Sequence, residues 1–190
     1  MTTRERTLTL LLGLLLALGC AHRDHACTAD TTATPVDPAL LAFLSRARSA
    51  HHIADSQEEQ HPARALATLR TVLDGPLPGQ AEARPAEVLE VLADTGARVA
   101  DLESQGQDFD GAVQSVNRAL AWVPQASYFR GHLYEVLGLV EERRAHALAQ
   151  SGKGEAAEQA KGRALAAFEQ SMSIQSEVIR ALSVDAGKKL

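Results

Sequence analysis

The amino-acid sequence predicts an all-α protein, and three observations lead to that class. Only 4% of the 190 residues are aromatic, while alanine and leucine, both strong helix formers, are abundant. Valine, isoleucine and threonine form no alternating runs of the kind that favours strands. Apolar residues instead recur at steps of three and four, the spacing of one face of a helix. A chain of this length is expected to fold as one domain with a sizeable core.

The clearest helical pattern lies in residues 106–124. Phe109 is followed by Ala112, Val116 and the pair Ala119 and Leu120, and Pro124 ends the segment. This order predicts one amphipathic helix with a stop. Two other segments repeat its spacing, with Ala65, Leu69, Val72 and Leu73 in one and Ala164, Phe168, Ser171 and Met172 in the other.

The same spacing predicts six helices in a domain that spans residues 38–183. We place them at 38–58, 62–73, 85–105, within 106–124, between Pro124 and the turn at 152–154, and at 155–183. Pro38 suits a first helical turn and Asp108 suits an N-cap. Residues 184–190 are predicted to be a C-terminal tail.

Small residues and a terminal proline in the central helix resemble the second helix of a tetratricopeptide repeat. Tyr134-Glu-Val-Leu137-Gly138 likewise resembles the aromatic-x-x-Leu-Gly start of such a repeat. The resemblance covers residues 38–182 and implies three antiparallel helical hairpins stacked as a short superhelix.

The spacing of the repeats departs from that family. Ala65, Ala112 and Ala164 are 47 and 52 positions apart, whereas the family repeats at about 34 residues. Extra helical turns explain the difference, because about seven added residues make two turns and keep the apolar stripe on one face. A closed six-helix bundle is the competing architecture.

Residues 1–19 are predicted to be a secretory signal peptide. Arg4 and Arg6 precede an apolar run from Leu8 to Leu18, which is shorter than the roughly 20 residues that a membrane-spanning helix needs. The sequence therefore predicts export.

The signal ends in Leu16-Ala17-Leu18-Gly19-Cys20, which resembles the lipobox of bacterial lipoproteins. The resemblance implies that Cys20 is lipidated and becomes the first mature residue. Ala17 and Leu18 depart from the family's usual order, and Ala17 with Gly19 also forms a small-x-small site for ordinary signal cleavage. Ala21, in place of aspartate, implies the outer membrane by that family's sorting pattern.

Residues 20–37 are predicted to be the lipidated cysteine followed by a flexible linker, because residues 28–37 are small, polar and proline-containing. If Cys20 carries lipid, Cys27 is the only free thiol. If it does not, Cys20 and Cys27 can pair in an oxidising compartment.

His22, His25 and Cys27 lie close to Cys20 and are residue types that bind zinc or copper. Lipidation would remove Cys20 as a ligand, and the segment belongs to a polar tether. We therefore predict no metal site and no cofactor, and keep a periplasmic metal-binding protein that uses this segment as an alternative.

Composition and motifs argue against two functional classes. The formal net charge of −5 comes with no basic block, whereas nucleic-acid binding needs clustered lysine and arginine. No metal-binding His-Glu-x-x-His helix, glycine-rich phosphate loop or Gly-x-Ser-x-Gly elbow is present. Paired acids such as Glu141 and Glu142 fall on different helix faces and are interpreted as solubility residues. The sequence predicts a protein that is not an enzyme.

Stacked hairpins form an extended binding surface lined by their first helices. Arg98 and Asp101 lie on the polar face of the third helix, and Tyr128, His132 and Glu135 share one face of the fifth. An exposed aromatic residue beside polar groups suits an interface anchor. We predict that these five residues bind a partner, although Tyr128 also suits a filler between hairpins.

Together these features predict a membrane-anchored envelope lipoprotein that acts as a protein-protein interaction scaffold or assembly factor. It looks like the helical-repeat lipoproteins that assist outer-membrane machines, and another envelope protein is its expected partner. The predicted location is the outer membrane, facing the periplasm, with a soluble periplasmic or secreted protein as the alternative. A small-ligand carrier with its cavity inside a bundle is a further alternative.

Overall fold

The computed structural model describes residues 37–187 of the chain, and this part is helical without strands. The all-α prediction is confirmed. Six α-helices and one short 3₁₀ helix, Ala81–Ala83, are present; the α-helices are α1 Pro38–Gln57, α2 Pro62–Leu73, α3 Ala86–Gln105, α4 Phe109–Leu120, α5 Tyr128–Gln150 and α6 Gly154–Gly187.

Side-chain caps set three of the helix starts. Asp37 Oδ1 accepts a hydrogen bond from the Ala39 amide at 2.8 Å, and Asp108 Oδ1 accepts one from the Gly111 amide at 3.0 Å. Ser127 caps α5 in the same way. These bonds satisfy amides that have no partner within the helix. Asp108 therefore has the capping role that the sequence predicts.

Consecutive helices pair, and the pairs contact one another in chain order. α1 packs on α2, α3 on α4 and α5 on α6, while α3 also contacts α1, α2 and α5. Within residues 37–187, α6 contacts α5 alone, and neither α1 nor α2 contacts α5 or α6. A closed bundle would bring the first and third pairs together. The described helices therefore form an open series, and its superhelical twist stays a prediction.

Two apolar clusters hold the series together. The first joins α1 and α2 to one side of α3, with Phe43, Leu69 and Leu92 among its fully buried members. The second joins the other side of α3 to α4 and α5, with Val116 and Leu133 among its members. Trp122 packs against both clusters. The tryptophan thus fills a junction between hairpins.

The third pair is held by very small side chains. α6 turns Ala157, Ala160, Ala164 and Ala167 inward, and α5 places Gly138 against Phe168 and Gly131 against Ile174 and Gln175. These contacts define the antiparallel register of α5 and α6. They also place residues 179–187 of α6 beyond the start of α5, an extension of about 13 Å at 1.5 Å per residue.

One sequence expectation about helix limits differs from the structure, and α1 leaves part of its apolar surface exposed. α6 continues to Gly187, so residues 184–187 are helical where a tail is predicted. In α1 the buried stripe contains Phe43, Ala47, Ala50 and Ala54, while Leu41 is exposed. Among the described helices, α1 packs against α2 and α3, and neither of them covers Leu41.

Candidate interaction surface

Arg98, predicted to bind a partner, lies in an ion-pair cluster between α1 and α3. Its Nη2 atom is 2.7 Å from Asp55 Oδ1 and 3.0 Å from Glu58 Oε2. Asp55 and Glu58 belong to the last turn of α1 and the residue after it, so Arg98 bridges neighbouring hairpins. The structure thereby supplies an intramolecular role for this side chain.

Asp101 occupies the corresponding place between α3 and α5. Arg143 donates a hydrogen bond from Nη1 to Asp101 Oδ1 at 2.6 Å and another to Ser104 Oγ at 2.6 Å. Gln105 also donates to Asp101. Arg98 and Asp101 thus lie between the first helices of neighbouring hairpins, Arg98 between α1 and α3 and Asp101 between α3 and α5. Both side chains have partners within the chain.

Tyr128, His132 and Glu135 come together at the surface, as the sequence predicts from their spacing. The rings of Tyr128 and His132 stack at a centroid distance of 6.2 Å with an interplanar angle of 10°. His132 Nδ1 is 3.3 Å from Glu135 Oε2. Tyr128 also meets the edge of Phe129, but most of its own surface is exposed. These three residues form one group on α5.

Helix α6 carries an apolar stripe with no partner among the described residues. Leu165 is 60% exposed, Met172 59% and Ile179 65%. The three residues are spaced by seven, whereas Phe168 and Gln175 between them pack against Gly138 and Gly131 of α5. A spacing of seven keeps these three exposed positions on one side of the helix. Large exposed side chains in such a row indicate an interaction site.

The equivalent positions in the earlier hairpins are covered. Leu73 of α2 corresponds to Met172 through the repeated pattern, yet only 7% of its surface is exposed. Leu66 of α2 packs against the first cluster, to which α3 contributes, and Leu120 of α4 packs against the second, to which α5 contributes. In both cases the first helix of the following hairpin covers the second helix. On α6, no described helix does so.

The α6 stripe and the Tyr128 group lie on the same side of the third hairpin. Ala164, Ala167 and Ser171 are buried towards α5, and Leu165 and Met172 each follow one of these inward positions by one, which is a rotation of about 100°. The cleft shared with α4 is lined by Arg163 and Gln170, on the other flank of α6. We call the outward side the end surface, and its residues are Tyr128, His132, Glu135, Leu165, Met172 and Ile179.

Two buried carboxylates, which the sequence analysis does not single out, lie between helices. Glu103 Oε1 accepts a hydrogen bond from Arg70 at 2.7 Å and Glu103 Oε2 accepts one from Ser115 at 2.7 Å, so this side chain joins α2, α3 and α4. Glu141 is also buried and accepts from Arg163 at 2.8 Å. The solubility role predicted for Glu141 is therefore wrong. A glutamate on a helix gives no sequence signal that distinguishes these two from exposed ones.

His51 bonds across the α1–α3 contact. Its Nε2 atom is 2.8 Å from Thr95 Oγ1, and that hydroxyl donates its own proton to the Val91 carbonyl at 2.7 Å. Thr95 can therefore only accept from His51, which assigns the imidazole proton to Nε2. Burial lowers the pKa of His51, and Asp94, 3.7 Å from Nδ1, opposes that shift. Burial favours the neutral form of His51, and the contact with Thr95 is structural.

The cleft between α4, α5 and α6 has a volume of about 420 Å³. Apolar Val113 and Leu137 line it together with polar Asn117 and Gln170, and it opens to solvent. It is not the enclosed chamber that a small-ligand carrier needs.

The predicted sites in the amino-terminal segment, namely Cys20 and the group His22, His25 and Cys27, lie outside the described residues. Within residues 37–187, no group of three or more histidine, cysteine, aspartate or glutamate side chains is arranged to hold a metal ion. Of the helices described, none is long and apolar enough to cross a membrane.

Comparison with known proteins gives no relative from which a role can be transferred. No protein-family model, curated protein or solved structure shows significant similarity to this chain. The tetratricopeptide-like and lipoprotein resemblances therefore remain interpretations of sequence motifs, and the functional argument depends on the surface itself.

Proposed function

We propose that this chain is a non-enzymatic interaction scaffold of the bacterial cell envelope, which docks a helix of a protein partner on its end surface. The observation that carries the proposal is the exposure of Leu165, Met172 and Ile179 on α6. Equivalent side chains on α2 and α4 pack under the next hairpin. The end surface thus has the form of an inter-hairpin interface with one side missing.

The chemistry of the end surface suits a helix better than an extended peptide. Its apolar residues follow a line along α6 at steps of seven, which matches an amphipathic helix laid alongside. Tyr128 adds an aromatic ring at one edge, and Glu135 with His132 adds a polar border. An apolar centre with a polar rim is the usual composition of a specific protein interface.

A lipid on Cys20 would hold the scaffold at the membrane. The lipobox-like motif supports this part of the proposal, with the outer membrane and the periplasmic side as the proposed location and another envelope protein as the expected client. Residues 20–37 would then connect the anchor to α1. Mass spectrometry of the mature amino terminus, with Cys20→Ser as the control, tests the anchor separately from the end surface.

Site-specific photo-crosslinking in the native envelope tests the docking role. A photo-reactive amino acid replaces Met172 in one strain and Glu177 in another. Both positions are exposed on α6, but they are five residues apart and hence about 140° apart around the helix. We expect a discrete protein adduct from position 172 and none from position 177.

The identity of the adduct is then read by mass spectrometry. A defined protein chain attached at position 172 supports the docking role, whether that chain is another envelope protein or a second copy. Adducts of equal yield at both positions, or no adduct at position 172, would contradict it.

A further inference from the structure

The two halves of the end surface differ in character, and this difference limits how a partner can approach. The α6 half is apolar, with Leu165, Met172 and Ile179, while the α5 half has polar Glu135 and His132. A partner must therefore present an apolar helix to α6 and a more polar one beside it. The third hairpin of a second copy has both features in the required positions.

We propose that the end surface binds the end surface of a second copy, with the two α6 helices antiparallel about a two-fold axis near Met172. This inference rests on the proposed function and names the helix that docks. A two-fold axis that lies in the interface and runs perpendicular to the helices places α6 of one copy against α6 of the other. The same axis places the two α5 helices opposite each other. Apolar residues then meet apolar residues, and polar residues meet polar residues.

The spacing of the stripe is symmetric about Met172. Leu165 precedes it by seven residues and Ile179 follows it by seven. In an antiparallel pair centred at Met172, each Leu165 lies against Ile179 of the second copy and the two methionines meet. A seven-residue apolar repeat is the pattern by which two helices keep their seams in contact over several turns.

The pairing also covers the part of α6 that extends beyond α5. Ile179 and Leu182 project past the start of α5, where no described residue covers them. In the antiparallel arrangement this segment lies beside residues 162–165 of the second copy, a part of α6 that is paired with α5 of that copy. The most exposed apolar side chains of α6 thereby gain a partner.

The size of the contact is sufficient for a reversible dimer. Residues 161–182 span about 33 Å, and two helices side by side are roughly 18 Å wide, so the face measures about 600 Å² per copy. A standard stable interface covers roughly 800 Å² per partner. Hairpins α1–α2 and α3–α4 of each copy remain free of this contact and available to other envelope proteins.

Sedimentation of the full chain carrying Cys20→Ser tests this inference without a lipid contribution. We expect a monomer–dimer equilibrium in which the dimer fraction rises with protein concentration. Met172→Glu is expected to weaken dimerisation at least about tenfold, because pairing would bury two unpaired carboxylates. Gln170→Glu adds the same charge on the opposite flank of α6 and is expected to leave the dimer intact. Circular dichroism checks that each variant keeps its helical content.

Disulfide trapping tests the direction of pairing. With Cys20 and Cys27 both changed to serine, a mixture of Leu165→Cys and Ile179→Cys chains is expected to form a mixed disulfide dimer. Leu165→Cys alone is expected to form none, because the two positions 165 lie about 21 Å apart in the antiparallel pair, well beyond disulfide reach.

Each result has a defined meaning. A wild-type chain that remains monomeric at every concentration, a Met172→Glu chain that still dimerises, or a Leu165→Cys chain that crosslinks to itself would overturn the inference. If the chain is monomeric but position 172 captures another protein in the envelope, this inference fails while the proposed function stands. If both measurements are negative, both fail.

Discussion

Gly138 of α5 lies against the ring of Phe168 of α6, so closely that a β-carbon at position 138 would be 2.5 Å from Phe168 Cε1. This contact sets the distance between the two helices of the third hairpin and therefore the position of the α6 stripe. Gly131, two turns earlier on α5, gives similar close passage to Ile174 and Gln175. The end surface depends on these glycines even though neither is part of it.

Gly138→Ala is expected to destabilise the fold by about 1–3 kcal/mol, because overpacking against Phe168 outweighs the roughly 1 kcal/mol that alanine gains in a helix. Urea unfolding measures the change. Gly162→Ala on α6 is the matched control, since its new β-carbon meets no atom of the described residues within 4 Å and the substitution should raise the free energy of unfolding. Equal effects of the two substitutions would show that the close contact does not exist.

Arg70→Ala should lower the free energy of unfolding by about 1–3 kcal/mol, because it leaves the buried carboxylate of Glu103 with Ser115 as its remaining partner. Lys161→Ala removes an exposed pair with Glu158 on α6 and should change stability by less than about 1 kcal/mol. Thermal unfolding of both variants gives the comparison. If Lys161→Ala lowers stability as much as Arg70→Ala does, the prediction that the buried carboxylate of Glu103 depends on Arg70 is contradicted.

Arg98→Ala tests whether Arg98 serves the fold or a partner. Its pairs with Asp55 and Glu58 are partly exposed, so we expect a loss of about 0.5 kcal/mol in stability and an unchanged crosslink yield from position 172. Chemical denaturation and the envelope crosslinking assay supply the two measurements. Abolished crosslinking in a folded Arg98→Ala protein would instead support the partner-binding role that the sequence predicts.

The pH dependence of stability should include a contribution from His51. Burial lowers its pKa in the folded chain, Asp94 and Asp55 oppose this shift, and Arg98 adds to it. The unfolded chain then binds the proton more readily, so the contribution is fully present above the unfolded pKa of about 6.5 and is lost as pH falls towards the lower folded pKa. Urea unfolding between pH 5 and 8 should show that the free energy of unfolding declines less towards low pH in His51→Gln than in the wild-type chain. Identical profiles would contradict this assignment.

The sequence predicts helix positions well where local chemistry decides them. α2 is found at the predicted Pro62–Leu73, and α4 begins after the Asp108 cap and ends before Pro124. These limits follow from caps, glycines and prolines within a few residues of the helix end. Local signals also predict that Tyr128, His132 and Glu135 share one face of α5.

What the sequence does not predict depends on contacts between distant residues. Met172 matches Leu73 in the repeated pattern, but its exposure follows from the position of α6 at the end of the described series. Glu103 and Glu141 have the same local setting as exposed glutamates and are buried through arginines on other helices. Arg98 and Asp101 likewise find partners 40 or more positions away.

The most direct test of the end surface is the rate at which a thiol reagent modifies position 172 in the native envelope. Met172→Cys is compared with the control Glu177→Cys in chains that lack the competing thiol of Cys27. The two positions form a matched pair because both are exposed in the isolated chain. A docked helix predicts modification at position 172 at least about tenfold slower than at position 177, with equal rates after denaturation. Equal rates in the native envelope would show that the α6 stripe is uncovered there and would contradict the proposed function.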